Sequence, residues 1–146
     1  MKTPFQNIVD GENTLKKQEK IPSSNQIATE YFNGLFKNDI AIIMSYYTDT
    51  STLITLENTF RGLSEIKAFM HDLIAYFPTK KSVLILDQLT VESDLIYTVW
   101  HSHSPLLSIA IASDTFIIKD QKIWKHTFIG QLNKIVPPNK SKPLHY

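Results

Sequence analysis

The 146-residue chain has no cysteine. That excludes a disulfide framework, a thiol nucleophile and a thiolate-held metal. It also lacks an excess of charge: 15 Lys and Arg against 14 Asp and Glu leave a formal +1. So small a field does not draw a protein onto a phosphate backbone, and no nucleic-acid partner is expected. There are only 4 glycines. None builds a phosphate-cradling loop or a nucleophile elbow, and no HExxH-type ligand spacing occurs, so no cofactor and no metal are expected. No window approaches the roughly 18 to 20 apolar residues of a membrane span, and residues 1–20 lack the unbroken apolar core of a secretory signal. No membrane partner is expected, and the location expected is cytoplasmic.

What is present is a 42% hydrophobic composition, enough for one core in a chain of this length. Residues 1–23 are polar and aperiodic and read as a flexible extension; residues 136–146, rich in Pro and Lys, read as a loose tail. Between them, 24–135 reads as one domain. Ile27, Tyr31, Gly34 and Leu35 recur at helical spacing over 25–37, with Ser23 or Ser24 as N-cap. A short helix over 39–47 carries Ile40, Ile43, Met44 and Tyr47 behind an Asp39 cap. Ser51 to Glu57 alternates as a strand, and Ser64 opens a third helix striped by Ile66, Phe69, Met70, Leu73 and Phe77. Four β-rich runs follow, at 83–91, 95–103, 106–119 and 122–135. The pattern predicts an α+β fold: three N-terminal helices packed on a strongly curved antiparallel sheet, a cone enclosing a pocket.

The last hairpin decides which polar side chains meet. A three-residue Lys119-Asp120-Gln121 loop sets Phe116 opposite Trp124 and Asp114 opposite His126, so that acid and imidazole share a face with Phe128. A two-residue turn pairs Asp114 with Thr127 instead and sends His126 to the other side. The three-residue register is preferred because it gathers the bulky groups on one surface.

Three stretches carry a family resemblance: YFNGLFKNDIAIIMSYYTD, TFRGLSEIKAFM and SDTFIIKDQKIWKHTFIGQL. In this order they resemble the nuclear transport factor 2-like superfamily, with its ketosteroid isomerases, SnoaL-like polyketide cyclases and scytalone dehydratase, over about 25–132. Against a ketosteroid isomerase, Tyr31 falls at the oxyanion-hole tyrosine and Asp114 at the protonated acid sharing that hole. The aspartate base of that family falls at Thr55, an alcohol that cannot abstract a carbon-bound proton. Within reach of Thr55, Glu57 is the carboxylate able to replace it, or is simply rim.

Asp114 beside His126, walled by Phe116, Trp124 and Phe128, either passes protons to a bound ligand or is an ordinary hydrogen-bonded pair. Tyr31 either steadies an oxyanion or is a wall. Tyr47 and His101 complete the expected lining. His101 and His103 share one strand face and can bracket a ligand, although a partly exposed strand end without metal is the preferred reading. Ile109 and Ile111 are expected on the outer sheet face, where a second subunit would cover them. The expected partners are thus a small apolar molecule and a second copy. The function expected is cofactor-free isomerase, lyase or cyclase chemistry on an apolar metabolite, with a non-catalytic ligand-binding or dimeric protein-interaction domain of the same fold as the alternative.

Overall fold

In the computed structural model, which describes residues 22–135, Ser23 opens the first helix as expected, its hydroxyl accepting from the Gln26 N–H at 3.1 Å. Most of the 1–23 extension and all of the 136–146 tail lie outside the described residues. Helix α1 (Ser24–Lys37) buries Ile27, Ala28, Tyr31, Phe32 and Leu35 along one stripe. It stops at Asn38, which takes the left-handed φ of 58° that Asn tolerates, and whose amide donates to the carbonyls of Ile74 and Phe77. Asp39 caps α2 (Ile40–Met44), three residues shorter than expected at its C-terminal end. The two helices touch at Gly34, where a Cβ would come within 2.8 Å of Ile43 Cγ1, so a side chain here would prise them apart.

Strand β1 (Thr52–Ile54) is shorter than the expected 51–57, because the Thr55 N–H bonds to the Asn58 carbonyl at 2.8 Å and closes a loop into β2 (Thr59–Arg61). Thr55 and Glu57 therefore sit in a loop. Helix α3 (Gly62–Ile74) starts two residues ahead of the expected Ser64 cap. Gly62 at φ 85° makes the corner, and Glu65 accepts the Arg61 N–H at 2.8 Å. The remaining strands are β3 (Val83–Glu92), β4 (Leu95–His103), β5 (Leu107–Lys119) and β6 (Lys122–Lys134), within a residue of expectation.

The sheet runs β2-β1-β6-β5-β4-β3 and does not close. Two features of the expected architecture are corrected. The helices do not all precede the sheet, since α3 follows the β1–β2 hairpin. The sheet is not wholly antiparallel: β1 pairs parallel with β6, Leu53 opposite His126, because the chain reaches β6 only after crossing the whole meander. Bulges put one extra residue into β3 at Asp87, into β5 at Ala110 and Ile111 opposite His101, and into β6 at Trp124, bending the strands and resetting which side chains face inward. The bulge at Ala110 and Ile111 corrects the expectation for Ile109, which is fully buried, while Ile111 is 55% exposed on the outer face. No helix among the described residues is long and apolar enough to cross a membrane.

Candidate functional site

The β5–β6 turn has two residues, Asp120 and Gln121, both at positive φ (53° and 61°), so the expected three-residue loop is corrected. Such a turn alone would turn His126 outward. It does not, because Trp124 is an extra, bulged residue: Ile118 pairs with Ile123 but Ile117 pairs with Lys125. One inserted residue restores the face parity. Phe116 lies opposite His126 and Asp114 opposite Phe128, and Asp114 meets His126 on the diagonal. The bulge also corrects Trp124, which is 36% exposed, outside the core, with Lys119 and Lys125 ammonium groups 4.9 and 4.7 Å from its ring centroid.

Asp114 and His126 are each 1% exposed. Asp114 Oδ1 meets His126 Nε2 at 2.5 Å, and Oδ2 accepts the Trp100 indole N–H at 2.7 Å. His126 Nδ1 meets the Tyr47 hydroxyl at 2.7 Å, and Thr98 donates to the Asp114 carbonyl at 3.2 Å. One assignment satisfies every proton: Trp100 and the Nε2–H tautomer of His126 donate to a carboxylate, and Tyr47 donates to His126 Nδ1. Phe116 stacks on the imidazole with centroids 4.2 Å apart. Tyr31 stands edge-on to His126 at 5.6 Å, its hydroxyl directed to Met70 Sδ at 3.8 Å. Burial, followed by the neighbouring phenol of Tyr47 and the charge of Asp114, pushes the Tyr31 pKa well above the usual tyrosine range. Burial and then Asp114 do the same to Tyr47. Both phenols are held neutral.

The open space lies elsewhere. A cleft of about 410 Å³ is bounded by the β1–β2 loop, the C-terminal half of α3 and the second half of β6. Phe69, Leu73, Phe128 and Leu132 give it apolar walls, and Gly130 leaves room beside them, since a Cβ there would crowd Phe128 Cζ at 3.2 Å. Of the expected lining residues, Thr55, Glu57 and Phe128 reach this cleft. Tyr47 and Phe116 are in the core, beside the imidazole. His101 is corrected: regular alternation along β4, with Trp100 and Ser102 facing inward on either side, puts it on the outer face, bonded to Asp87 at 2.7 Å with both side chains nearly half exposed. Phe128 lines the cleft whereas Asp114, His126, Tyr47 and Trp100 do not, and its ring stacks on Trp100 with centroids 6.3 Å apart.

Sequence reasoning missed Trp100 as the second partner of Asp114. The available signal was strand alternation, which puts Trp100 on the face opposite His101 and His103, together with the need of a buried carboxylate for more than one donor. It also missed Asp72, Tyr76 and Lys134 on the cleft rim. These fall off the apolar stripes, and only the packing of α3 against β6 brings them together. Among the described residues, no three His, Cys, Asp or Glu side chains gather to hold a metal.

No protein-family model and no curated protein sequence matches the chain. Solved structures do match in shape. A nuclear transport factor 2-like protein of unknown function from Cytophaga hutchinsonii superposes with a TM-score of 0.64 at 9% identity, over 80% of this chain and 95% of that one. A putative SnoaL-like polyketide cyclase from Shewanella putrefaciens gives 0.60 at 12% identity, over 76% and 91%. A putative ketosteroid isomerase from Kribbella flavida gives 0.62 at 11% identity, over 83% and 90%. At such identities the likeness is one of fold.

Proposed function

We propose, from the nuclear transport factor 2-like fold that this chain carries, that it is a small-molecule-binding protein whose ligand seat is the cleft over Phe128. The observation that carries this reading is the separation of the apolar cleft from the polar chain: Asp114, His126 and Tyr47 spend their hydrogen bonds on one another and on Trp100 behind the Phe128 ring. Few convergent polar groups on an apolar seat of a few hundred Å³ are what a small apolar ligand needs. The chain behind it fixes the wall. A fluorescent apolar probe, phenylnaphthylamine, tests this: it should bind, and Leu132→Asp, a change at a 40% exposed rim position, should weaken binding at least about tenfold. Equal affinity of wild type and Leu132→Asp would reject the cleft.

A second reading is favoured by one observation, that a carboxyl, an imidazole and two neutral phenols lie one ring from the cleft. In it the chain is a cofactor-free isomerase, lyase or cyclase: Asp114 with His126 moves a proton, and Tyr31 steadies the developing oxyanion once Phe128 swings aside. Asp114→Asn then abolishes turnover of a metabolite that wild type changes, as read by mass spectrometry, while its affinity is kept.

The outer sheet face exposes Ile85, Tyr97, Ile111 and Ile129, each more than a third accessible. A second copy covering this face is the proposed assembly. Paired Ile111→Lys and Ile129→Lys substitutions should convert a dimer to monomer in sedimentation; a wild type that is monomeric at high concentration would end the proposal.

A further inference from the structure

The cleft has a charge pattern that its apolar walls do not explain. Three ionisable side chains with a formal charge at neutral pH reach it: Glu57 from the β1–β2 loop, Asp72 from α3 and Lys134 from β6. Lys134 is already engaged, its ammonium 5.5 Å from the centre of the Tyr76 ring, which is itself part of the wall. Glu57 and Asp72 are exposed and, among the described residues, make neither an ion pair nor a side-chain hydrogen bond. Two elements thus present uncommitted carboxylates at the mouth of a seat whose floor and sides are Phe69, Leu73, Phe128 and Leu132. The single opposing cation is turned onto an aromatic face.

From this juxtaposition we infer that the cleft selects apolar molecules bearing one positive charge, an aromatic or aliphatic amine whose body rests on Phe128 and whose ammonium sits between Glu57 and Asp72. The inference rests on the cleft being the ligand seat and adds the chemical class of ligand. Selection by charge here does two things. The carboxylates draw a cation in and, with no net positive counterweight in the cleft, turn an anion of the same shape away. Because both acids are solvated, the preference is modest and sensitive to salt.

The test uses the full-length protein and three probes sharing one ring system: naphthylethylamine, naphthylethanol and naphthylacetate, titrated by their own fluorescence. The amine should bind about fivefold more tightly than the alcohol at low salt, and the acetate more weakly than either. The margin should shrink toward unity when ionic strength is raised from about 0.05 M to about 0.5 M. Combining Glu57→Gln with Asp72→Asn should remove the preference while leaving the affinity for naphthylethanol and the circular dichroism spectrum as in wild type. Equal binding of all three probes would overturn the charge inference and leave the cleft as ligand seat intact. A preference for the amine that survives the double substitution would overturn its assignment to these carboxylates. Failure of every probe to bind would remove the seat itself, and the inference with it.

Discussion

Replacing Asp114 by Asn keeps the shape of the side chain and removes its charge, and the hydrogen-bond geometry sets the cost. In the wild type, two buried N–H groups converge on the carboxylate, Trp100 Nε1 at 2.7 Å and His126 Nε2 at 2.5 Å. An amide offers one acceptor and one donor, so whichever way it turns, its NH₂ faces an N–H. His126 can escape by switching tautomer, but its Nδ1–H then points at the Tyr47 oxygen and the phenol must turn its proton towards the neighbouring Tyr31 hydroxyl. The substitution thus either strands a buried donor or forces the whole polar chain to reorient, and in both cases loses the charge assistance of two bonds, a cost of about 2–4 kcal/mol. Urea unfolding followed by far-UV circular dichroism reads this directly. Fluorescence is less suited, because the companion variant removes one of only two tryptophans. That companion is Trp100→Phe, which deletes the competing donor. In the Asp114→Asn background it should cost about 1–2 kcal/mol less than it does in wild type, a coupling that a double-mutant cycle isolates. Additive effects to within about 0.5 kcal/mol, or an Asp114→Asn penalty below about 0.5 kcal/mol, would refute this reasoning.

Two further outcomes are expected from the same core and wall. Tyr31 and Tyr47 have folded pKa values raised well above 10.0, so the unfolded chain releases their protons first. Their contribution to stability is therefore complete below about pH 10 and is lost as pH rises further, by about 1.4 kcal/mol per pH unit for each phenol. Melting temperatures should hold up to that point and then fall steeply; a flat profile through about pH 12 would contradict the burial of both hydroxyls. Gly130→Ala places a methyl 3.0 Å from Leu132 Cδ1 and 3.2 Å from both Ala112 Cβ and Phe128 Cζ. It should cost about 1 kcal/mol in urea unfolding and tilt Phe128 into the cleft, lowering phenylnaphthylamine affinity. Unchanged stability and affinity together would mean that Gly130 is not where the wall is tight.

The α+β class, the three helices and the four long strands were legible because each carries a local signal: Ser23 and Asp39 as caps, the stripe of α3, the alternation of β4 and β5. The meeting of Asp114 with His126 was also legible, although the register predicted for it was off by two residues, a shift that preserves the face. What sequence could not supply is the bulge. Nothing in Lys122 to Lys125 announces that Trp124 stands outside the ladder, nor does anything in β5 announce the extra residue at Ala110 and Ile111, and these two insertions decide that Trp124 leaves the interior and Ile109 enters it. The separation of cleft from polar chain was equally hidden. It depends on Phe128 stacking against Trp100, and on α3 and the turn after it setting Asp72 and Tyr76 across from Lys134.

A ligand in the cleft over Phe128 should leave the buried polar chain untouched. Methyl and imidazole NMR spectra recorded during a titration with naphthylethylamine test it most directly. Shifts are expected only in the methyls of Leu73 and Leu132, with the His126 ring signals and the Leu53 and Ile43 methyls unmoved. Perturbation centred on His126 and Leu53, with the rim methyls silent, would contradict it.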